Sequence, residues 1–135
     1  RLVVLDNSNY QMTQQQLEFL RLQLRTGEPC LLFVHIPLYT PALAPAVLEK
    51  WKAPIMMAAP GWTEQMRTQW LVRESDESTT ACHRLLTQAD ADNLVGVFCG
   101  HVHFPHVGEV RPGCLQYVTR EGFRDGYRVI KLEPL

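Results

Sequence analysis

Two histidines one residue apart, His101 and His103, follow an uncharged run from Leu94 to Cys99 that stops at Gly100. If the segment stays extended, the two imidazoles project from the same side with Val102 turned away. So placed, they can share one cation or serve two neighbouring ones. A second uncharged run, Cys30 to Val34, ends on His35 and continues into Ile36 and Pro37. Each run is rich in β-branched and aromatic side chains and reads as a strand covered on both faces. Gly100 lets the backbone turn sharply or pass close to a bound group. Two buried strands that both end in histidine point to one rim. A strand-end histidine is also often a polar residue bonded to a carbonyl, and spacing alone leaves both readings open.

Phe33-Val-His35-Ile-Pro-Leu38 and, some sixty residues later, Gly96-Val-Phe-Cys-Gly100-His-Val-His103 resemble the last two motifs of the calcineurin-like metallophosphoesterases. The order and strand placement match that family, and the resemblance spans the chain while covering only the carboxyl-terminal half of the family's domain. It implies an α/β fold, half of a four-layer αββα sandwich, with two strand-helix-strand units followed by β-strands. It also implies hydrolysis of a phosphate monoester or diester by water activated between two divalent metals, with Mn, Fe and Zn not distinguished. Motif by motif, His35 and His101 would bind one metal and His103 the other. The family's Asp-x-His, Gly-Asp-x-x-Asp and Gly-Asn-His-Asp/Glu motifs are absent from the sequence. With them go the bridging aspartate, the asparagine ligand and the histidine that assists the leaving group. Asp6, Asp76, Asp90, Asp92 and Asp125 do not sit in a matching context, and Asp6 reads as structural. His106 matches no family ligand and reads as a solvated loop residue.

With 135 residues the chain is one domain, able to bury roughly two thirds of its unfolded surface if complete. A hydrophobic fraction of 46% argues against disorder, and a net charge of -1 gives no reason to expect nucleic acid or an anionic membrane as partner. The sequence contains neither a signal-peptide pattern nor an apolar stretch long enough to span a bilayer. Cys30, Cys82, Cys99 and Cys114 form no Cys-x-x-Cys pair and read as free thiols, which fits a cytoplasmic protein.

The elements that must carry the histidines are legible to different degrees. The chain opens inside a strand, residues 2–5, with no turn or cap before it, and reads as cut. Thr13 and Gln16 make a capping box with Met12 and Leu17 as staple, predicting a helix over 14–25 with Leu17, Leu20 and Leu24 inward, stopped by Gly27 and Pro29. Strand 30–34 completes a first βαβ unit. Residues 39–78, broken by Pro41, Pro45, Pro54 and Pro60, read as a long insertion with short helices near 43–51 and 63–71. They could form a cap over a substrate pocket, with Trp62, Arg67 and Trp70 on it, or simply pack aromatics onto the body. A helix over 79–89, started by Ser75, Asp76 or Ser78, faces Cys82, Leu85, Leu86 and Ala89 inward and leaves His83 on the surface. It feeds strand 94–99, which should place Gly100 near His35. Three strands are expected after the rim, at 107–111, 114–119 and 127–132.

Two helices cannot cover both faces of such a sheet. One face should therefore lack a cover within the chain and receive a missing amino-terminal half or a second copy. Alone, the chain should be inactive and hold at most one ion weakly, since each ion would have too few protein ligands. Two other readings remain: a non-catalytic interaction module that keeps the fold, and an amidohydrolase-type metal hydrolase. The latter is disfavoured because no histidine follows His106.

Overall fold

The computed structural model describes residues 1–88 and 93–133. Its centre is a five-stranded mixed sheet in the order β1-β2-β3-β5-β4. Strand β1 (Leu2–Val4) runs parallel to β2 (Cys30–Phe33), β2 parallel to β3 (Leu94–Cys99), and β3 parallel to β5 (Cys114–Val118). Only β4 (His106–Arg111) is antiparallel, joined to β5 through the turn at Pro112 and Gly113. The parallel pairs require crossovers: helices supply them from β1 to β2 and from β2 to β3, whereas β3 reaches β5 by way of β4.

The first crossover is α1 (Gln14–Leu24), and its start is the expected one. Thr13 accepts from the backbone of Gln16, while the Gln16 side chain accepts from the backbone of Thr13. Leu17 and Leu20 are buried, Leu24 partly so, and Gly27 takes a left-handed φ of 74° beyond the helix end. The second crossover ends in α4 (Glu77–Gln88), where Asp76 receives the backbone N–H of Thr79 at 2.8 Å and so acts as the cap. Cys82 and Leu86 are fully buried. The last residue expected in this helix, Ala89, lies outside the described residues, as do Asp90 and Asp92.

Between β2 and α4 the chain forms α2 (Ala44–Trp51) and α3 (Glu64–Trp70), close to the two short helices the prolines and tryptophans predicted. This stretch is not a surface excursion. Ile36, Leu38, Leu43, Val47, Ile55, Met56 and Met57 are all essentially inaccessible, so residues 36–57 supply a large share of the core. Gln116 of β5, itself buried, ties the segment down by accepting from Leu38 N at 2.8 Å and donating to Leu38 O at 3.1 Å. An amide is tolerated there because it meets both needs of an otherwise unpaired backbone group.

Three expectations fail outside the 101–103 turn. Residues 127–132 do not form a strand. Both edges of β5 are already occupied, and the segment lies against the sheet face instead, with Tyr127 and Val129 over four-fifths exposed. Arg128 donates to Val118 O at 3.0 Å and stands over the Tyr117 ring. His83 is not a surface residue: its Nε2 pairs with Tyr39 O at 2.8 Å, and burial lowers its pKa despite that bond. His106 is not in a loop: it opens β4, half-buried, and its ring lies close over Gly108, where a Cβ would sit 2.7 Å from Cε1.

The register separates two faces. Val3, Leu32, Val97 and Gln116 lie in register on the helix-covered face and are almost fully buried. On the other face, Val4, Phe33, Phe98, Tyr117 and Val107 form one row. Leu2, Leu31, Gly96, Leu115 and Glu109 form the next. Phe33 stacks on Phe98 at 5.0 Å and Phe98 on Tyr117 at 5.1 Å between ring centres. Leu2 and Val4 remain about two-thirds exposed or more. Apart from the 127–133 segment, the described residues leave this face open.

Candidate metal centre

The two histidine-bearing strands are neighbours, so their ends arrive together. Gly100 N donates to His35 O at 3.1 Å, which is the approach expected of a glycine following β3. His101 Nδ1 then stands 3.2 Å from His35 Nε2. The extended arrangement expected for residues 101–103 does not hold. His101 and His103 both adopt left-handed backbone, with φ of 65° and 56°, while Val102 between them is fully buried. The turn therefore falls on the histidines rather than on Gly100. For non-glycine residues this conformation costs roughly 1–2 kcal/mol each, and such strain persists where surrounding contacts over-determine it.

Those contacts come from α2. Trp51 Nε1 donates to Val102 O at 2.8 Å and Lys50 Nζ donates to His103 O. The His103 ring sits edge-on between Trp51 and Phe123, 5.5 and 5.3 Å from their centres. Thus His35 and His101 are brought into direct contact, whereas His103 is oriented into an aromatic slot beside them.

A second support comes from the loop after β1. Asn7 is fully buried; its Oδ1 accepts from His35 N at 3.0 Å and Ile36 N at 2.9 Å, and its Nδ2 donates to Ile36 O at 2.8 Å. Three residues on, Tyr10 has a φ of 67°, its N–H bonded to Asn7 O. Its hydroxyl lies 2.7 Å from His101 Nε2. The edge of Tyr10 meets Trp62 with ring centres 5.8 Å apart, and Arg67 stands over Trp62. Trp70 meets Trp51 at 5.8 Å. The three residues assigned to a cap thus pack near the rim, but through Tyr10 and Trp51.

The electrostatics favour neutral imidazole. Burial, then the neighbouring His35 and His103, hold His101 down to about 4, and burial pushes Tyr10 up to about 12. A neutral ring and an intact phenol are the forms that can coordinate and hydrogen-bond. Asp6 caps its own turn by accepting from Ser8 N at 2.9 Å, in keeping with its structural reading. It also lines, with His35, Thr119 and Arg128, a cleft of about 510 Å³ on the open face.

Two ligands on a tetrahedral zinc, each at about 2.0–2.1 Å, stand roughly 3.3 Å apart. The His35–His101 separation of 3.2 Å fits that bite, and it equally suits an N–H···N hydrogen bond. Among the described residues, no group of three or more His, Cys, Asp or Glu is placed to hold a metal ion. The donors therefore fit one cation as a two-imidazole clasp and leave its other positions to be filled from elsewhere. Compared with known proteins, the chain matches no family model and no curated relative. Among the described residues no helix is long and apolar enough to cross a membrane.

Sequence reasoning missed Asn7, Tyr10, Lys50 and Trp51. Asn7 and Tyr10 lay in a run of loop formers, Asp6-Asn-Ser-Asn9 and its continuation, and no spacing rule marks a side chain that acts across 28 or 91 residues.

Proposed function

We propose that the chain carries part of the site of a metal-dependent phosphoesterase of the calcineurin-like type, with His35 and His101 holding one divalent cation and His103 contributing to a second. The observation that carries this reading is the pair of imidazole nitrogens 3.2 Å apart at the ends of adjacent parallel strands. Such ends are where open α/β sheets collect ligands. Bound divalent cations would supply Lewis acidity toward phosphate oxygens and a water of lowered pKa. The chain's own residues orient the donors: Asn7 fixes the backbone of His35, Trp51 and Lys50 fix the turn through Val102 and His103, and Tyr10 holds the His101 ring. Zinc, manganese and iron all suit imidazole.

The missing carboxylate donors and the open sheet face together support a complementary polypeptide, either an amino-terminal half of such a domain or a second copy, packed over Phe33, Phe98 and Tyr117. The open face also favours a second reading, a non-catalytic interaction module that retains the fold.

Metal content and p-nitrophenyl phosphate turnover separate the two. The chain alone should bind at most one ion weakly and show no enzyme-like turnover. With the complementary half supplied, two ions and turnover should appear, and His101→Ala should remove both. Failure of the completed protein to bind metal would leave the interaction module.

A further inference from the structure

The loop after β1 touches both halves of the histidine clasp. Asn7 grips the backbone on which His35 stands, and three residues later the Tyr10 hydroxyl reaches the one His101 nitrogen that does not face His35. Tyr10 is buried, its backbone is held in the left-handed region, and its ring is wedged between Trp62 and His101. Nothing about this phenol is adaptable except the direction in which its hydroxyl points.

We propose that Tyr10 is the positioning residue that sets the tautomer of His101, so that Nδ1 is presented unprotonated, opposite His35 Nε2, to a single divalent cation. This inference rests on the reading of His35 and His101 as a metal clasp. The chemistry needs a partner that works in both directions. In the metal-free chain the 3.2 Å contact calls for a proton between the two rings, and where His101 carries it on Nδ1 that nitrogen donates to His35 Nε2. Its Nε2 is then an acceptor, and Tyr10 donates to it. When the clasp closes on a cation, both facing nitrogens must offer lone pairs. The His101 proton then resides on Nε2, and Nε2–H donates to the phenolic oxygen. The ring stays neutral throughout, and Tyr10 keeps its own proton. No protons are gained or lost; one moves from Nδ1 to Nε2 while the hydroxyl turns round. A carboxylate could accept only, and a lysine could donate only. A phenol does both, and outer partners of this kind fix the ring orientation of ligating histidines.

The test uses the 135-residue chain with 15N-labelled histidine and zinc alone as the probe, read by long-range proton–nitrogen correlation of the imidazoles. In the wild-type chain, zinc should move His101 to the Nε2-protonated form and expose a nuclear Overhauser contact from that proton to the Tyr10 ring. Tyr10→Phe, which keeps the ring packing, should show mixed tautomers and bind zinc roughly tenfold more weakly. His35→Ala should lose zinc at His101 altogether. If Tyr10→Phe folds and binds zinc with wild-type affinity and tautomer, the role of Tyr10 is overturned while the clasp stands. If zinc in excess leaves the wild-type His101 signals unmoved, the role of Tyr10 is overturned, while the clasp itself is judged by metal binding of the completed protein. Should Tyr10→Phe not fold, the contact from Nε2–H to Tyr10 in the zinc-loaded wild type decides, its presence supporting the assignment and its absence overturning it.

Discussion

Asn7 illustrates how much of a site can rest on one buried amide. It satisfies two backbone donors and one acceptor around His35 and Ile36. Asn7→Ala should lower stability by about 1–3 kcal/mol, the penalty for unpaired buried backbone groups, visible as a lower urea midpoint. His83 gives a pH signature away from the clasp. Its folded pKa lies below the ordinary 6.5 because burial disfavours the charged ring, more than the Tyr39 carbonyl favours it. The stability it contributes is therefore present above pH 6.5 and lost as pH falls through the depressed folded value. Urea midpoints measured down that range should decline, and His83→Gln should flatten the decline. An unchanged slope in the variant would remove His83 as its source.

Among the elements, the stretch from Ile36 to Met57 departs most from its sequence appearance. Its prolines read as loop, yet Ile36, Leu38, Leu43, Val47, Ile55, Met56 and Met57 are as buried as the side chains of any strand. Gln116 pins it to the sheet through both backbone groups of Leu38, and a bridge between Leu38 and Met57 closes the stretch on itself. Gln116→Leu keeps comparable bulk and leaves the Leu38 N–H and C=O unpaired. A loss of about 2–4 kcal/mol is expected, taking one to three per buried group with partial relaxation. Amide exchange should show it first at Leu38 and Met57, and faster exchange confined to the sheet would contradict the assignment. Trp51 belongs to the same logic, because α2 reaches the histidine turn through Trp51 and Lys50.

Apart from the 127–133 segment, the described residues leave one sheet face open, and that face is five strands across, roughly 24 Å at the usual strand spacing. Val4, Val107 and Leu115 are 72%, 49% and 37% exposed around the Phe33, Phe98 and Tyr117 stack. A contiguous apolar surface of this kind drives association. The isolated chain should bind an environment-sensitive apolar dye and sediment as a concentration-dependent mixture. Val4→Lys combined with Leu115→Lys should reduce both effects without altering far-ultraviolet circular dichroism. A wild-type chain that stays monomeric and dye-free at high concentration would show that the segment following Gly126 covers the face more fully than the exposures of Tyr127 and Val129 imply.

Local chemistry was enough to read α1 from Thr13 and Gln16, β2 and β3 from their uncharged runs, and the nearness of His35 to Gly100 from two crossovers between neighbouring strands. Each of these depends on interactions a few residues apart, or on a topological rule that leaves one arrangement. The same local reading misplaced residues 127–132, because alternation does not say whether a segment joins a sheet edge or lies on its face, where Arg128 bonds to Val118 O. It took His83 for a surface residue because the carbonyl it meets belongs to Tyr39, 44 residues away. Whether His101 and His103 would point together was likewise undecidable in one dimension. Their backbone is left-handed because Trp51 and Lys50 of α2 and Tyr10 of the loop after β1, two distant segments, hold the turn from outside. Spacing named the candidate ligands; the direction each ring faces is a property of the packed neighbours.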